Sequence, residues 1–395
     1  MYRRLLSPDT ALAAIRPALA DLETENIASL AARAEGVPDM IPLWYGEGDI
    51  VTPEFIRQAA KDSLDAGEVF YVPQMQGRTD LHAALTAYQS DLHGIDLGAD
   101  RTTVTPSGMQ AMHIALTMIL QPGDNAVIVE PQWPNIRHAV SVAGAEPRGV
   151  PLTLVDNAWT LDLDRVFDAC DARTRVIILS SPSNPNGFVA GPEVYAALLD
   201  FSRRHGIWII SDEVYARLVA EGRAAPSMLQ QATPEDLVFC INGFSKAWAM
   251  TGWRIGWLNH PASVAPTVHA LTQYMNSGTA SFIQAGALAA ITRGEPTVEM
   301  IRARCRAGLD AVYEVLGRSN RVILPAKPAG GMYAFFRFDG EEDAGPTCLR
   351  LVTDARVGLA PGSLFGEDFR GYVRLCTARP AEQLAEAAER IVRAL

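Results

Sequence analysis

The sequence predicts an α/β fold: a mostly parallel sheet sandwiched by helices, joined to a smaller α+β domain. Three observations carry this. From about residue 100, short β-branched runs alternate with helical stretches. Those runs are apolar throughout rather than alternating, as strands covered on both faces are. Residues 296–317, PTVEMIRARCRAGLDAVYEVLG, form a long amphipathic pattern that separates this region from a second set of strand-like segments.

Residues 17–35 read as a helix, with Pro17 suited to the first turn and Gly36 as a stop. IPLWYGEGDIVTPEF (41–55) reads as loop and turn. VTPSG then leads into the helix MQAMHIALTMIL, and NAVIVEP is a strand. RVIILSSPSNPNG is a strand ending in a Gly/Pro/Asn loop, PEVYAALLDFSRRHG a helix, and IWIISDEVY and DLVFCINGFSK two further strands. Beyond the long helix, AGGMYAFFRF, LVTDARVGLAPGSLF and GYVRLCTA look like strands, and AEQLAEAAERIVRAL is an amphipathic helix. The expected division is a large domain over 46–290 and a small one combining 1–45 with 295–395. In a parallel sheet, ligands collect at the carboxyl ends of the strands.

With 395 residues and 48% hydrophobic content the chain can bury a large core. A net charge of −11 without a basic block argues against nucleic acid and anionic membranes as partners. Cys170, Cys240, Cys305, Cys348 and Cys376 lack zinc or redox spacing, so no metal site is expected. They read as buried free thiols of a cytoplasmic protein. No apolar run has the length of a membrane span, and MYRRLLSPDTALAAIRPALA lacks the hydrophobic segment of a secretory signal.

Polar groups stand where strands should end: Asn184 in SPSNPNG, Asp212 after IWIIS, Tyr215 three residues on, and Lys246 in FSKAWAMTGWRIGW. Singly, Asn184 is turn chemistry, Asp212 a cap, Tyr215 core and Lys246 surface. Together and in this order, SPSNPNG, SDEVY and SK followed by GWRIG resemble the class I/II aminotransferase family, pyridoxal-phosphate enzymes of fold type I. The likeness runs from LWYGEGD through GYVRLCTARP.

The resemblance implies a role for each residue. Lys246 forms a Schiff base with the aldehyde of pyridoxal phosphate and later moves protons. Asp212 pairs with the pyridinium nitrogen, and Asn184 and Tyr215 hydrogen-bond the ring's phenolic oxygen. Trp133, in EPQWPNI, stacks on the ring. Ser107, Gly108 and Met109 open a helix whose N-terminus receives the phosphate, and Ser245 and Arg254 complete that cup. Tyr71, in YVPQMQG, reaches the phosphate of the neighbouring subunit, which makes the protein a homodimer. Arg374, in GYVRLCTARP, binds the substrate α-carboxylate, and Gly46 approaches the same group. Two positions depart from the family pattern. Leu81-His82 replaces Leu-Arg, with His82 read as surface. Gly46-Glu47-Gly48-Asp49 replaces Gly-Glu-Pro-Asp, which leaves that loop less constrained.

The implied reaction is ping-pong transamination between an amino acid and a 2-oxo acid. A carbon–sulfur β-lyase on the same fold stays open, because the same residues serve both outcomes. A cofactor-sensing regulator lacks room for a DNA-binding domain in residues 1–45, and a nicotinamide oxidoreductase lacks its GxGxxG. Met109 stands where some aspartate-specific relatives have a lysine, and Met112, Leu116 and Ile119 share its helix stripe. Trp44, Tyr45 and the Tyr274 region are candidates for an apolar pocket. The donor expected is neutral or aromatic, with an aspartate-type enzyme as the alternative.

Overall fold

Seven strands form the central sheet of the computed structural model, in which residues 14–16, 19 and 27–395 are described. In chain order they are β1 (Thr102–Thr105), β2 (Asn125–Glu130), β3 (Glu146–Pro151), β4 (Thr174–Ser180), β5 (Trp208–Asp212), β6 (Val238–Gly243) and β7 (Gly256–Asn259). Across the sheet the order is β1-β7-β6-β5-β4-β2-β3. Only β7 runs against its neighbours; every other pairing is parallel.

The continuous apolar runs serve two faces at period two. Ala126, Ile128, Val176, Ile178 and Ile210 pack with Ala111, Ile114 and Ala115 of the helix Gly108–Ile119 and with Ile136 and Val140 of the helix Pro134–Ala143. Their sequence neighbours Val127, Val129, Ile177, Leu179 and Ile209 pack on the opposite side with Tyr195, Leu198 and Leu199 of the helix Pro192–His205. Burial on both faces explains why these strands carry no hydrophobic alternation.

The reversed direction of β7 fixes where its entering segment lies. Gly256, its first residue, sits opposite both Thr105 and Gly243, the last residues of β1 and β6. Because β7 is antiparallel, the segment entering it lies at the edge where the parallel strands leave the sheet. A side chain at Gly256 has no room: its Cβ would stand 2.7 Å from the Gly108 nitrogen and 2.7 Å from the Asn242 oxygen. Gly256→Ala is expected to lose about 1–3 kcal/mol of stability by overpacking, read as a lower urea midpoint with an unchanged slope.

A second, antiparallel sheet contains β8 (Val322–Ile323), β9 (Tyr333–Phe338), β10 (Ala360–Pro361) and β11 (Tyr372–Cys376), ordered β8-β9-β11-β10. Phe336 and Phe338 pack against Val312 and Leu316 of the helix Glu295–Leu316 and Leu384 and Ile391 of the helix Ala381–Ala394. The segment before the large sheet joins this unit. Ile41–Pro42 pairs in parallel with Val357–Gly358, and the Leu43 carbonyl accepts from the Cys376 amide at 3.0 Å.

Three local readings are corrected. In LVTDARVGLAPGSLF, Leu351–Asp354 ends a helix, Gly345–Asp354, that buries Thr347, Cys348, Leu351 and Val352 on one side; the β-branched pair there masks a helical period. Only Val357–Gly358 and Ala360–Pro361 of that segment are strand. Residues 41–55 are not all loop: besides the short strand at Ile41–Pro42, Glu54 starts the helix Glu54–Asp65, which buries Ile56 and Ala60. Of the helix expected over 17–35, Ile27–Ala32 is helical and turns follow it; 17–18 and 20–26 lie outside the described residues. Cys240, Cys305, Cys348 and Cys376 are buried and Cys170 is half-buried, all as free thiols. No helix among the described residues is long and apolar enough to cross a membrane.

Candidate active site

A cleft of about 510 Å³ opens at the carboxyl edge of the large sheet, against the small unit. β5 delivers Asp212 to its floor and β6 leads through Ser245 to Lys246. The loop after β4 brings Asn184, the turn after β2 brings Trp133, and β11 brings Arg374.

Lys246 Nζ donates to the Gly46 carbonyl at 2.6 Å and lies 5.7 Å from the Tyr215 ring centre. No carboxylate ion-pairs with it among the described residues. Burial pushes its ammonium down to about 8, and the Arg374 and Arg254 charges act in the same direction. Asp212 has the opposite problem. Burial pushes its carboxyl up to about 6, held back by the Val214 N–H and the Ser180 hydroxyl, both at 3.3 Å, and by the charge on Lys246.

Arg374 is 1% exposed, yet no carboxylate among the described residues pairs with it. Its guanidinium lies between two rings, 4.5 Å from the Tyr333 centre and 4.8 Å from that of Phe365. Nη1 donates to Asn184 Oδ1 at 2.8 Å, Nη2 donates to the Trp44 carbonyl, and buried Nε has no partner among the described residues. With its oxygen accepting from Arg374, Asn184 has its amide hydrogens to offer a ligand. A buried cation with an unspent donor is a receptor for an anion brought from outside.

At the cleft's other end the helix Gly108–Ile119 begins. Ser107 caps it by accepting from the Gln110 amide at 3.0 Å, so the Gly108 and Met109 amides remain outside the helix's own ladder. Arg254, exposed and in the left-handed region at φ 53°, stands at this rim just before β7, with Nη1 on the Thr251 carbonyl at 2.7 Å.

The model of aminotransferase classes I and II matches residues 38–391. The chain belongs to the class I and II aminotransferase family. An aspartate aminotransferase of Pyrococcus horikoshii is 30% identical over 95% of this chain and 95% of its own length. Aromatic-amino-acid aminotransferase 2 of Thermococcus litoralis is 32% identical over 92% of this chain and 93% of its own. Among solved structures, Thermus thermophilus aspartate aminotransferase with maleate superposes with a TM-score of 0.89 at 30% identity, covering 97% of this chain and all of that one. The fold is therefore that of the aspartate aminotransferases, and the chain is an aminotransferase.

Of the residues singled out in this aminotransferase, Gly46, Gly108, Met109, Trp133, Asn184, Asp212, Tyr215, Ser245, Lys246, Arg254 and Arg374 line the one cleft. Ser107 stands behind it as the helix cap. Tyr71 does not reach it: that side chain is 84% exposed, beside Phe70 on a separate open groove. Tyr45 lines the cleft, but Trp44 is buried among Phe335, Phe365 and Phe369 and contributes its carbonyl rather than its ring. Tyr274 is exposed and lies off the cleft lining. His82 is half-buried rather than surface, with Nε2 3.1 Å from the Thr102 carbonyl.

The aminotransferase also has cleft residues that sequence reasoning missed. Ser180 contacts Gln132 Oε1 at 3.0 Å as well as Asp212. Tyr333 places its hydroxyl 2.6 Å from that of Tyr215. A signal for Tyr333 was present in the Gly330-Gly331 pair ahead of it. Gly330 bridges to Val219, so the entry to β9 is pressed against the large sheet's loops.

Proposed function

We propose that this aminotransferase carries pyridoxal phosphate in the cleft and moves an amino group from a neutral or aromatic amino acid to a 2-oxo acid in two half-reactions. The observation that carries the reading is a half-buried amine, Lys246, with no acidic partner among the described residues, sharing one cleft with a buried carboxylate and a buried arginine that no described carboxylate pairs. The chemistry of the donor set fits the cofactor, since the cleft supplies an amine, an acid and an anion-binding helix start, while buried Arg374 Nε and Gln132 Nε2 have no partner among the described residues.

The bound cofactor supplies an aldehyde that condenses with amines and a ring that accepts the electron pair left when a bond to Cα breaks. Lys246 would hold it through its amine and, with that amine free, would move a proton to and from the substrate Cα. An ammonium pushed down to about 8 leaves Lys246 about a tenth neutral at pH 7, far more than an ordinary lysine, which suits a proton carrier. Asp212 keeps the ring nitrogen protonated by charge pairing. Asn184 and Tyr215 would donate to the cofactor's phenolic oxygen, and Trp133 would pack against its ring. The Gly108 and Met109 amides, Ser107, Ser245 and Arg254 take the phosphate. Arg374 grips the α-carboxylate of amino acid and 2-oxo acid in turn, with Gly46 alongside, and so orients Cα–H against the ring.

The donor assignment rests on charge. Lys246, Arg254 and Arg374 are the cleft's cations among the described residues, and each already has a role, whereas Ile27, Ala28, Tyr45, Met109 and Met112 give the remainder an apolar lining. The relatives' names do not choose, since enzymes named for aspartate, aromatic amino acids and arginine are all 30–32% identical. Two further parts belong to this reading. The chain acts as a homodimer in which exposed Tyr71 reaches the partner's phosphate, supported by Val69, Phe70 and Tyr71 standing 58%, 83% and 84% exposed. Its domains divide at 46–290 against 1–45 with 295–395, its compartment is the cytosol, and its five free thiols agree with that.

The test is a half-reaction panel on cofactor-loaded protein, following loss of the cofactor's absorbance with phenylalanine, alanine, aspartate and a cysteine conjugate. Phenylalanine is expected to be fastest and borohydride to fix the cofactor at Lys246. A response to aspartate alone refutes the donor assignment. Ammonia and pyruvate released from the conjugate without an oxo-acid acceptor would make the chain a β-lyase.

A further inference from the structure

Two tyrosine hydroxyls meet beside Lys246, and hydrogen counting shows what their pairing does. Tyr215 and Tyr333 are 4% and 2% exposed and their oxygens lie 2.6 Å apart. Burial raises both phenols, Tyr333 to about 12 and Tyr215 well above the ordinary tyrosine value, so each keeps its proton at neutral pH. One of the two protons is spent in the mutual bond and the other is left for the cleft.

The surroundings decide which hydroxyl donates. The Arg374 guanidinium lies 4.5 Å from the centre of the Tyr333 ring, closer than Lys246 Nζ comes to the Tyr215 ring at 5.7 Å, and the nearer, permanent cation draws more electron density and makes Tyr333 the more acidic of the pair. The Tyr333 oxygen is also covered by Gly46: it lies 2.1 Å from where a Cβ on that residue would stand. The better donor is thus walled in by Gly46 and turned toward Tyr215. Tyr215 accepts, and its own proton is free for a ligand. Hydrogen bonds in such a chain polarise one another.

We propose that Tyr333 is a positioning residue that donates to Tyr215 and so makes Tyr215 a stronger donor toward the ring oxygen of the bound cofactor. This rests on the cofactor reading of the cleft. The ring oxygen and the cofactor-bound nitrogen of Lys246 compete for one proton. A stronger donor at the oxygen satisfies its negative charge and lowers the pH at which the nitrogen loses that proton.

Tyr333→Phe keeps the ring under Arg374 and removes only the hydroxyl. In cofactor-loaded protein the pH midpoint of the absorbance change is expected to rise by about half a unit, a fraction of one hydrogen bond. KM for the amino acid is expected to stay within about twofold, because Arg374 keeps its stack. In a Tyr215→Phe background the same substitution is expected to move the midpoint no further. An unchanged midpoint in Tyr333→Phe, or an equal shift without Tyr215, overturns the proposal. A wild-type chain that shows no bound-cofactor absorbance overturns the parent reading instead.

Discussion

Lys246→Ala is expected to leave a folded chain whose kcat/KM falls by at least about 10,000-fold, because covalent attachment and proton transfer are lost together. The loss should not be structural. Lys246 makes a single hydrogen bond, to the Gly46 carbonyl, while its neighbours Phe244, Ala247 and Trp248 supply the local packing. Far-ultraviolet circular dichroism should match the wild type. After pyridoxal phosphate and borohydride, the peptide containing position 246 should gain no mass, whereas the wild-type peptide should. Full turnover in this variant would remove the lysine from the chemistry altogether.

Asp212→Asn is expected to lower kcat by about 1,000-fold, the scale of removing one preorganised charge contact to the reacting system. Asparagine preserves the shape: its one oxygen can still accept from the Val214 amide, while its NH2 meets the Ser180 oxygen, whose hydrogen can turn to Gln132 Oε1, so the change removes the charge and reverses one hydrogen bond. The pH dependence supplies a second readout. With its carboxyl pushed up to about 6, wild-type Asp212 loses its charge as pH falls through that value, and cofactor affinity should fall with it. Affinity in the asparagine variant should not follow that curve. The cofactor-free protein should show the reverse slope in stability. Between about 4 and 6 the folded state holds a proton that the unfolded state has released, so the unfolding free energy declines as pH rises. Equal slopes in wild type and Asp212→Asn would mean that Asp212 is not the group titrating.

The parallel sheet and most of the cleft were legible because their signals are local. An unbroken apolar strand followed at once by a polar residue places Asp212 at a strand end without knowledge of its neighbours. The same holds for Asn184 and Lys246. Arg254 needed the resemblance, since nothing local reveals that β7 runs backwards and returns Arg254 to the same edge. Tyr333 escaped for a related reason. Its partners Tyr215 and Arg374 come from different sheets, and a tyrosine opening YAFFRF looks like strand packing until those sheets are set together. Leu351–Asp354 was misread because Val352 and Thr353 favour strand locally, whereas burial of Cys348 and Leu351 on one helical side decides the matter. Tyr71, for which the resemblance implies a role on a second copy, is solvent-facing within one chain and lies off the cleft.

The sandwiching of Arg374 between Tyr333 and Phe365 reaches into laboratory practice. A guanidinium held dry, with one nitrogen idle, attracts any small organic acid, whether or not that acid is a substrate. If Arg374 takes the substrate carboxylate as proposed, acetate, citrate or succinate in a buffer would compete for it and raise the apparent KM of amino acid donors. Rankings of donors would survive such competition; absolute constants would not, and measurements in sulfonate buffers would give the lower values.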